Sequence, residues 1–209
     1  MNISHKNGLY NFDIVTPDRV MEDLTLGAPG LINVENAIAA AAVAYFTGVE
    51  DDKIKNALES FAGVERRFDF QIKRESLIYI DDYAHHPEEL TAFIRSVRDL
   101  FPGRKITGIF QPHLYSRTKD FADEFAKSLE FLDELILLEI YPAREEPIEG
   151  VTSQMIFEKV NLEEKFLCEK VNLIDFLKNR KVDVLVTLGA GDIDKLVKPI
   201  KEHLEEREE

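Results

Sequence analysis

From Phe68 to the end of the chain, short apolar runs alternate with amphipathic segments, and this alternation restricts the possible folds. The runs have the composition of strands, and the segments between them carry apolar residues at helical spacing. Strand and helix in series predict a mostly parallel sheet with helices on both faces, which is a Rossmann-like α/β domain. Pro199 is expected to kink or restart the last helix. The predicted strands are FDFQIK, LIYID, KITGIF, ELILLEI, KFLC and VDVLVTLG, a six-stranded sheet, and the predicted helices are EELTAFIRSVRDLF, KDFADEFAKSLEF, TSQMIFEKV, NLIDFLKN and DIDKLVKPIKEHLEE.

The segment before residue 64 has a different organisation. GLYNFDIV and RVMEDLTL, separated by the turn-forming TPD, are predicted to be paired strands. After the turn GAPG, the alanine-rich LINVENAIAAAAVAYFTG predicts a helix that stops at Gly48, and Asp51 can cap a second helix, DDKIKNALESF. These segments look like the end of a larger domain. We therefore predict two parts, a strand-helix remnant over residues 1–63 and a complete Rossmann-like domain over residues 64–209.

Charge and composition exclude several classes of partner. The net charge of -14 would repel a nucleic-acid backbone or an anionic membrane surface, although a local cationic pocket can still bind a phosphorylated small molecule. Cys168 is the single cysteine, so an internal disulfide is excluded, and no Cys/His zinc pattern occurs. Because the sequence has no signal-peptide core and no run of about 18 apolar residues, we expect a soluble cytoplasmic protein. The sequence leaves the oligomeric state open.

Polar residues follow three of the predicted strands. LIYID leads through DYAHH into a helix that begins near Pro87, KITGIF leads into QPHLYSR, and the last strand ends in the glycine-rich turn GAGDI. Ligands of parallel sheets bind beyond the carboxyl ends of the strands, so the three loops are expected to face one cleft. Asp120 and Phe121 are predicted to lie in the helix after the second loop. The loop residues singled out are Asp82, Tyr83 and His85 in the first loop and Gln111, His113, Tyr115 and Arg117 in the second.

Each of these features also has a less specific explanation. A DD or HH pair in a loop is more often surface polarity than catalysis, and LGAGD lacks the full G-x-G-x-x-G pattern, so turn formation is its expected role. A metal site made of Asp81, Asp82, His85 and His86 is conceivable, but adjacent loop residues rarely converge on one ion without strain. By default, Arg66 and Arg67 would be solvated linker charges, and Asn33 and Asn36 would be a helix cap and an exposed side chain.

Five stretches together carry a family resemblance. They are PGLINVENAIAAAAVA, ALESFAGVERRFD, YIDDYAHHPEEL, FQPHLYSRTKDF and LLEIYPAREEPIEGVTS. The same stretches occur in the same order in the Mur ligases, and the chain resembles this family from about residue 8 to about residue 200. The third and fourth stretches resemble most closely the branch that joins L-alanine to the carboxylate of UDP-N-acetylmuramate.

The resemblance implies a fragment of a three-domain protein. In this family one domain binds the UDP-sugar, a central domain binds ATP through a G-x-x-G-K-[ST] loop, and a Rossmann-like C-terminal domain brings the amino acid. The Gly/Lys neighbourhoods PGRKIT and KNGLY fail that pattern. Residues 1–63 would then be the C-terminal part of the central ATP-binding domain and residues 64–209 the amino-acid-binding domain. The fragment alone is expected to be inactive.

The implied activity is that of an ATP-dependent ligase in peptidoglycan precursor synthesis. ATP phosphorylates the carboxylate of UDP-N-acetylmuramate, and the amine of L-alanine attacks the acyl phosphate to form an amide. Such chemistry needs cations and Mg²⁺ at the phosphoryl group, a clamp for the alanine carboxylate and a base for the amine. The Mg²⁺ belongs to the phosphate-binding part, so no metal ligand is expected in this chain.

The resemblance also implies roles for individual residues. Asn33 and Asn36 match an N-x-x-N-A helix motif that approaches the adenine, and Arg67 and Asp82 match an arginine and an aspartate that contact the nucleotide. These four residues are the implied ATP-binding set, and the Asp82 carboxylate is suited to accept hydrogen bonds from ribose hydroxyls.

A second set matches the loops around the incoming amino acid and the product. Its members are Tyr83, His85, His113 and Arg117, of which His85, His113 and Arg117 are the implied catalytic residues. The planar guanidinium of Arg117 can hold a carboxylate through two parallel hydrogen bonds, so Arg117 is the expected carboxylate clamp.

Two positions depart from the pattern of many relatives. Ile32 stands where they have histidine, and Leu114 stands where they have arginine. The adenine pocket is therefore expected to be more apolar, and the clamp rests on Arg117 alone or recruits Arg144. Two other interpretations stay open: a related ligase that attaches an intact peptide to the muramate sugar, and a non-catalytic Rossmann-like binding module.

Overall fold

The computed structural model describes residues 2–6 and 9–206 and divides into two compact units, Met1–Phe68 and Asp69–Glu209. The division falls between Phe68 and Asp69, whereas the sequence suggested a boundary after residue 63. Gly8, the first residue of the predicted strand GLYNFDIV, lies outside the described residues. Within the described ranges, no helix is both long and apolar enough to cross a membrane.

The first unit contains a three-stranded antiparallel sheet and two helices. The two strands predicted from the sequence are paired, and a third strand that was not predicted joins the edge, giving the order β1-β2-β3. The elements are β1 (Ile3–Lys6), β2 (Leu9–Val15), β3 (Val20–Leu26), α1 (Leu31–Phe46) and α2 (Asp51–Ser60).

Alternation along β2 and β3 gives this unit a core. Phe12 and Leu24 are paired across the two strands and are almost fully buried, as is Val34 of α1. Gly30 precedes α1 with a φ of 95°, and a Cβ there would lie 2.9 Å from the Phe68 ring, so only glycine fits without strain.

The second unit contains a six-stranded sheet with the order β4-β5-β9-β6-β7-β8. Strands β5 to β9 are parallel to one another, and only the edge strand β4 is antiparallel to its neighbour β5. The mostly parallel Rossmann-like sheet predicted from periodicity is therefore confirmed. Its strands are β4 (Asp69–Lys73), β5 (Ile78–Asp82), β6 (Ile106–Phe110), β7 (Glu134–Leu137), β8 (Lys165–Leu167) and β9 (Val184–Leu188).

Helices cover both faces of this sheet. On one face, Phe125 of α5 contacts Phe110 of β6, with ring centroids 5.5 Å apart, and α5 packs against α3. On the other face, α7 and α8 join a buried cluster that includes Tyr79, Ile109 and Leu185. The helices are α3 (Pro87–Leu100), α4 (Tyr115–Asp120), α5 (Ala122–Leu129), α6 (Gln154–Lys159), α7 (Leu173–Leu177) and α8 (Asp194–Glu206).

Two helix predictions need correction. The predicted helix KDFADEFAKSLEF is two helices, because Phe121 leaves the helical conformation (φ -120°, ψ 22°) between α4 and α5. Pro199 does not restart the last helix, since α8 continues through it. A proline inside a helix removes one backbone hydrogen bond, which costs free energy. The burial of Ile200 and Leu204 against the sheet offsets this cost.

The turn after β9 is held by close backbone packing. Gly189 has a φ of 141°, and a Cβ there would lie 2.7 Å from the carbonyl oxygen of Gln111. The backbone N-H of Gly189 also donates to the carbonyl of Asp82 at 3.3 Å. The turn therefore requires glycine for both conformation and space.

We expect Gly189→Ala to lower the free energy of unfolding by about 3 kcal/mol, because the added Cβ meets backbone as well as an unfavourable φ. Gly103→Ala is the matched control: Gly103 also has a positive φ (78°), but its Cβ position is open, so its expected cost is about 1 kcal/mol. Urea unfolding followed by circular dichroism measures both. Equal losses would show that close packing at Gly189 contributes nothing.

Candidate functional site

Three loops of the second unit start at the same edge of the sheet. In the register of the parallel strands, Asp82 of β5 lies beside Leu188 of β9, which lies beside Phe110 of β6. The hydrogen bonds continue one step beyond the strands, where Gln111 N-H donates to the Leu188 carbonyl at 3.0 Å. The first residues of all three loops are therefore joined through β9.

The β5–α3 loop is fixed by two carboxylates. Asp82 is buried, and its Oδ1 accepts the backbone N-H of Ala84 at 2.8 Å. Glu89 reaches back from α3 and accepts the backbone N-H groups of His85 (2.9 Å) and His86 (3.2 Å), which caps the helix at its N-terminus. These three hydrogen bonds hold the backbone of the loop in one conformation.

The same loop fixes the tautomer of His85. Its Nδ1 lies 3.0 Å from the carbonyl oxygen of Tyr83 and 3.2 Å from Oε2 of Glu89. Both partners can only accept, so Nδ1 carries the proton. In the neutral ring, Nε2 is then the atom with a lone pair available for a proton.

Four aromatic rings from three segments form what we call the histidine cluster: Tyr83, His85, His113 and Tyr141. Centroid distances are 5.2 Å between Tyr83 and His85 and 5.9 Å between His85 and His113, both edge-to-face. His113 stacks on Tyr141 at 5.7 Å. The cluster brings together residues separated widely in the sequence, and Tyr141 was not singled out from it.

The surroundings of His113 shift its pKa. Burial, the positive charge of Arg117 and the neighbouring His85 lower the pKa of His113, and the charge of Glu145 opposes them. The ring is therefore neutral at neutral pH. Its Nδ1 is buried and has no hydrogen-bond partner within the part of the chain that the structure describes.

Arg117 lies on α4, not on the loop predicted for it and for Tyr115. The sequence YSRTKD lacks apolar periodicity, so nothing in it predicts a helix. In the structure, Glu145 accepts the backbone N-H of Ser116 at 3.0 Å and so satisfies a donor of the first turn of α4. Arg117 Nη1 is buried, also without a hydrogen-bond partner among residues 2–6 and 9–206.

The site thus keeps two buried nitrogens, Arg117 Nη1 and His113 Nδ1, unpaired within one electrostatically coupled group. Leaving a buried polar group unpaired costs about 1–3 kcal/mol, and more for a charged one. A ligand with acceptor atoms would recover that cost. A carboxylate matches a guanidinium best, because the pair can form two parallel charge-assisted hydrogen bonds.

The glycine-rich turn after β9 supports the site through packing. Gln111 donates to Asp192 at 2.8 Å and accepts the backbone N-H of Ile193 at 2.9 Å, while Lys170 donates to Asp192 at 2.8 Å. A Cβ on Gly191 would lie 2.5 Å from Gln111 Oε1. The segment therefore forms a turn, as its sequence suggested, and it also positions Gln111. The contributions of Asp192 and Lys170 could not be recognised from single positions.

The four-residue metal hypothesis is not supported by the geometry. Asp81 and Asp82 are successive strand residues and point to opposite faces, and Asp81 accepts the buried hydroxyl of Thr187 at 2.6 Å. Across the described residues, no group of three or more His, Cys, Asp or Glu side chains is arranged to hold a metal ion.

Three of the four implied ATP-binding residues belong to the first unit. Asn33 is half-buried, and its amide donates to the carbonyl of Pro29 at 2.5 Å. Asn36 is exposed on α1, and the backbone N-H of Arg67 donates to the Val64 carbonyl at 3.0 Å. Only Asp82 lies with the histidine cluster in the second unit.

The positions that depart from the family pattern are also placed. Ile32 is exposed on the first turn of α1, and Leu114 takes a φ of 72° directly before α4. Arg144 is exposed, on the segment that follows Tyr141.

Comparison with known proteins gives consistent matches. The family "Mur ligase, glutamate ligase domain" matches residues 66–200. UDP-N-acetylmuramate--L-alanine ligase of Parabacteroides distasonis is 53% identical over 203 residues, covering 97% of this chain and 44% of the relative. The protein of that name in Flavobacterium psychrophilum is 50% identical over 206 residues, covering 99% and 46%.

A solved structure agrees with these relatives. UDP-N-acetylmuramate-alanine ligase MurC from Thermotoga maritima superimposes with a TM-score of 0.82 at 27% identity, covering 99% of this chain and 45% of that one. The chain spans about half the length of the curated relatives it matches. The family resemblance drawn from the five stretches is confirmed. Since the family match covers most of the chain, this protein belongs to the Mur ligase family.

Proposed function

We propose that this chain is the amino-acid-binding part of an ATP-dependent ligase that joins L-alanine to the carboxylate of UDP-N-acetylmuramate in peptidoglycan precursor synthesis. The observation that carries the proposal is the pair of buried, unpaired nitrogens on Arg117 and His113 beside the histidine cluster. The names of relatives at 53% and 50% identity supply the substrates.

Arg117 holds the carboxylate of L-alanine in this proposal. Its guanidinium is permanently charged, and its Nη1 is already removed from water, so a carboxylate gains a charge-assisted hydrogen bond without displacing a protein partner. We propose Arg117 alone as the clamp, because its Nη1 is buried whereas Arg144 is exposed.

His85 is the base that prepares the amine. L-Alanine enters as an ammonium ion, and only its neutral amine can attack the acyl phosphate. Because Nδ1 of His85 is committed to Tyr83 and Glu89, Nε2 receives the proton. His113 stays neutral and bonds the substrate or the developing tetrahedral group, and Tyr83 borders the same space through its contact with His85.

The family resemblance supports a role for four residues in nucleotide binding. In the second unit, the Asp82 carboxylate is the proposed acceptor for ribose hydroxyls. The first unit is assigned to the C-terminal part of a central ATP-binding domain, and Asn33, Asn36 and Arg67 are its proposed nucleotide contacts. Asn36 fits a direct contact better than Asn33, whose amide is engaged with Pro29.

The alternative ligase that attaches an intact peptide receives less support. The murein peptide ligase of Psychrobacter arcticus shares 21% identity and a TM-score of 0.62 with this chain, which supports a common fold only.

Replacing Arg117 by alanine in the full-length ligase is expected to raise the KM for L-alanine by about tenfold or more, since charge-assisted hydrogen bonds are lost. The KM for ATP should change little. Lys119→Ala removes an exposed positive charge from the same helix and is the matched control. Equal increases in both Michaelis constants would contradict the clamp.

Asp82→Asn is expected to weaken ATP binding, measured by calorimetry in the full-length ligase, because an amide accepts ribose hydroxyls less strongly than a carboxylate. Asp99→Asn, on the exposed side of α3, makes the same change elsewhere. An unaltered ATP dissociation constant in Asp82→Asn would remove Asp82 from the nucleotide site.

The assignment as a whole is tested by phosphate release. The 209-residue chain should show no L-alanine-dependent ATP hydrolysis, whereas the full-length ligase should release phosphate only when UDP-N-acetylmuramate and L-alanine are both present. ATP hydrolysis by the 209-residue chain alone would contradict the proposal that this chain supplies only the amino-acid-binding part of the ligase.

A further inference from the structure

Glu145 makes contacts that the proposed reaction does not use. Its carboxylate accepts the backbone N-H of Ser116 at 3.0 Å and the Ser116 hydroxyl at 2.5 Å. These bonds, with the charge of His113, lower the pKa of Glu145. The side chain is thus a charged acceptor at the first turn of the helix that carries Arg117.

Glu145 belongs to a segment that is bound to the β6–α4 connection at a second point. Tyr141 N-H donates to the Pro112 carbonyl at 2.8 Å, and its carbonyl accepts Leu114 N-H at 2.9 Å. A tight turn, with Glu145 N-H donating to the Pro142 carbonyl at 2.9 Å, then brings the Glu145 carboxylate to Ser116. The segment 141–145 therefore bonds Pro112 and Leu114 through the Tyr141 backbone and Ser116 through the Glu145 carboxylate.

Leu114 needs such restraint. Its φ of 72° and ψ of 138° lie in a region that L-residues rarely adopt, and such a conformation costs on the order of 1–3 kcal/mol. Leu114 separates His113 from α4, so its backbone angles set the direction of Arg117 relative to His113. If these hydrogen bonds were lost, the backbone at Leu114 would relax and the Arg117 side chain would move relative to His113.

We propose that Glu145 is a positioning residue of the amino-acid site: it holds α4 and thereby fixes Arg117 relative to His113. The identification of L-alanine as the ligand of this site rests on the proposed function. The Tyr141 backbone bridge holds one side of Leu114, and the Glu145 carboxylate holds the other. Glu145 touches neither substrate nor reacting atoms in this role.

The negative charge of Glu145 acts on His113, so the pKa of His113 can be used to test the positioning role. The groups that act on His113 are Arg117 from α4, His85 from the β5–α3 loop and Glu145 itself, with the Tyr141 ring stacked on it. Arg117 and His85 disfavour the imidazolium, and Glu145 favours it. Removing the negative charge at 145 should therefore lower the pKa of His113 further.

The first experiment uses the 209-residue chain and NMR titration of its five histidines, with His113 assigned by His113→Gln. In Glu145→Gln, His113 should titrate at lower pH than in the wild-type chain, and the Arg117 side-chain N-H should exchange faster with water. Glu146→Gln removes the same charge from the next, exposed residue and should change neither.

Each outcome decides the proposal. An unshifted His113 titration in Glu145→Gln would overturn it, as would an equal shift in Glu146→Gln. Unchanged exchange of the Arg117 N-H would show that Glu145 does not hold α4. These measurements need no ligase activity, so they stand even if the proposed function fails.

The second experiment uses the full-length ligase. Glu145→Gln and Ser116→Ala should each raise the KM for L-alanine roughly fivefold, the equivalent of one hydrogen bond, and leave the KM for ATP unchanged. Ser116→Ala keeps the charge of Glu145, so it should not lower the pKa of His113. A parallel rise in both Michaelis constants would indicate general destabilisation and contradict the positioning role.

Discussion

The pairing of β9 between β5 and β6 is the constraint on which the site depends. The strand that ends in Asp82 and leads to His85 (β5) and the strand that leads to His113 (β6) do not pair with each other; both pair with β9. All five residues of β9 are buried, so a slip by one residue would exchange its side chains between the two covered faces of the sheet and disrupt the packing on both. The register of one central strand therefore sets the distance between the loops.

Beyond the strand ends, the structure combines a restrained backbone with unsatisfied side-chain atoms. Leu114 is held in an unfavourable conformation, while nitrogens of His113 and Arg117 are buried without partners in the described part of the chain. Both features cost free energy in the absence of ligand. Both features lie within residues 113–117, and strain of this kind is typical of functional sites.

Periodicity predicted the sheet because buried parallel strands appear as continuous apolar runs, and loop polarity then placed His85 and His113 at the correct edge. It could not predict α4, whose first turn is capped by Glu145, a residue far along the chain. Tyr141 and Glu145 lay within the stretch YPAREEP that carried part of the resemblance, yet their roles depend on contacts across loops. Such contacts leave no local pattern in a single sequence.

The central place of β9 also has a consequence for biosynthesis. Residues 184–188 leave the ribosome after both strands that they join. A nascent chain that stops short of them carries both histidine loops but leaves the facing edges of β5 and β6 unpaired, and unpaired apolar edges promote aggregation. Premature termination would thus yield a chain prone to aggregation and proteolysis.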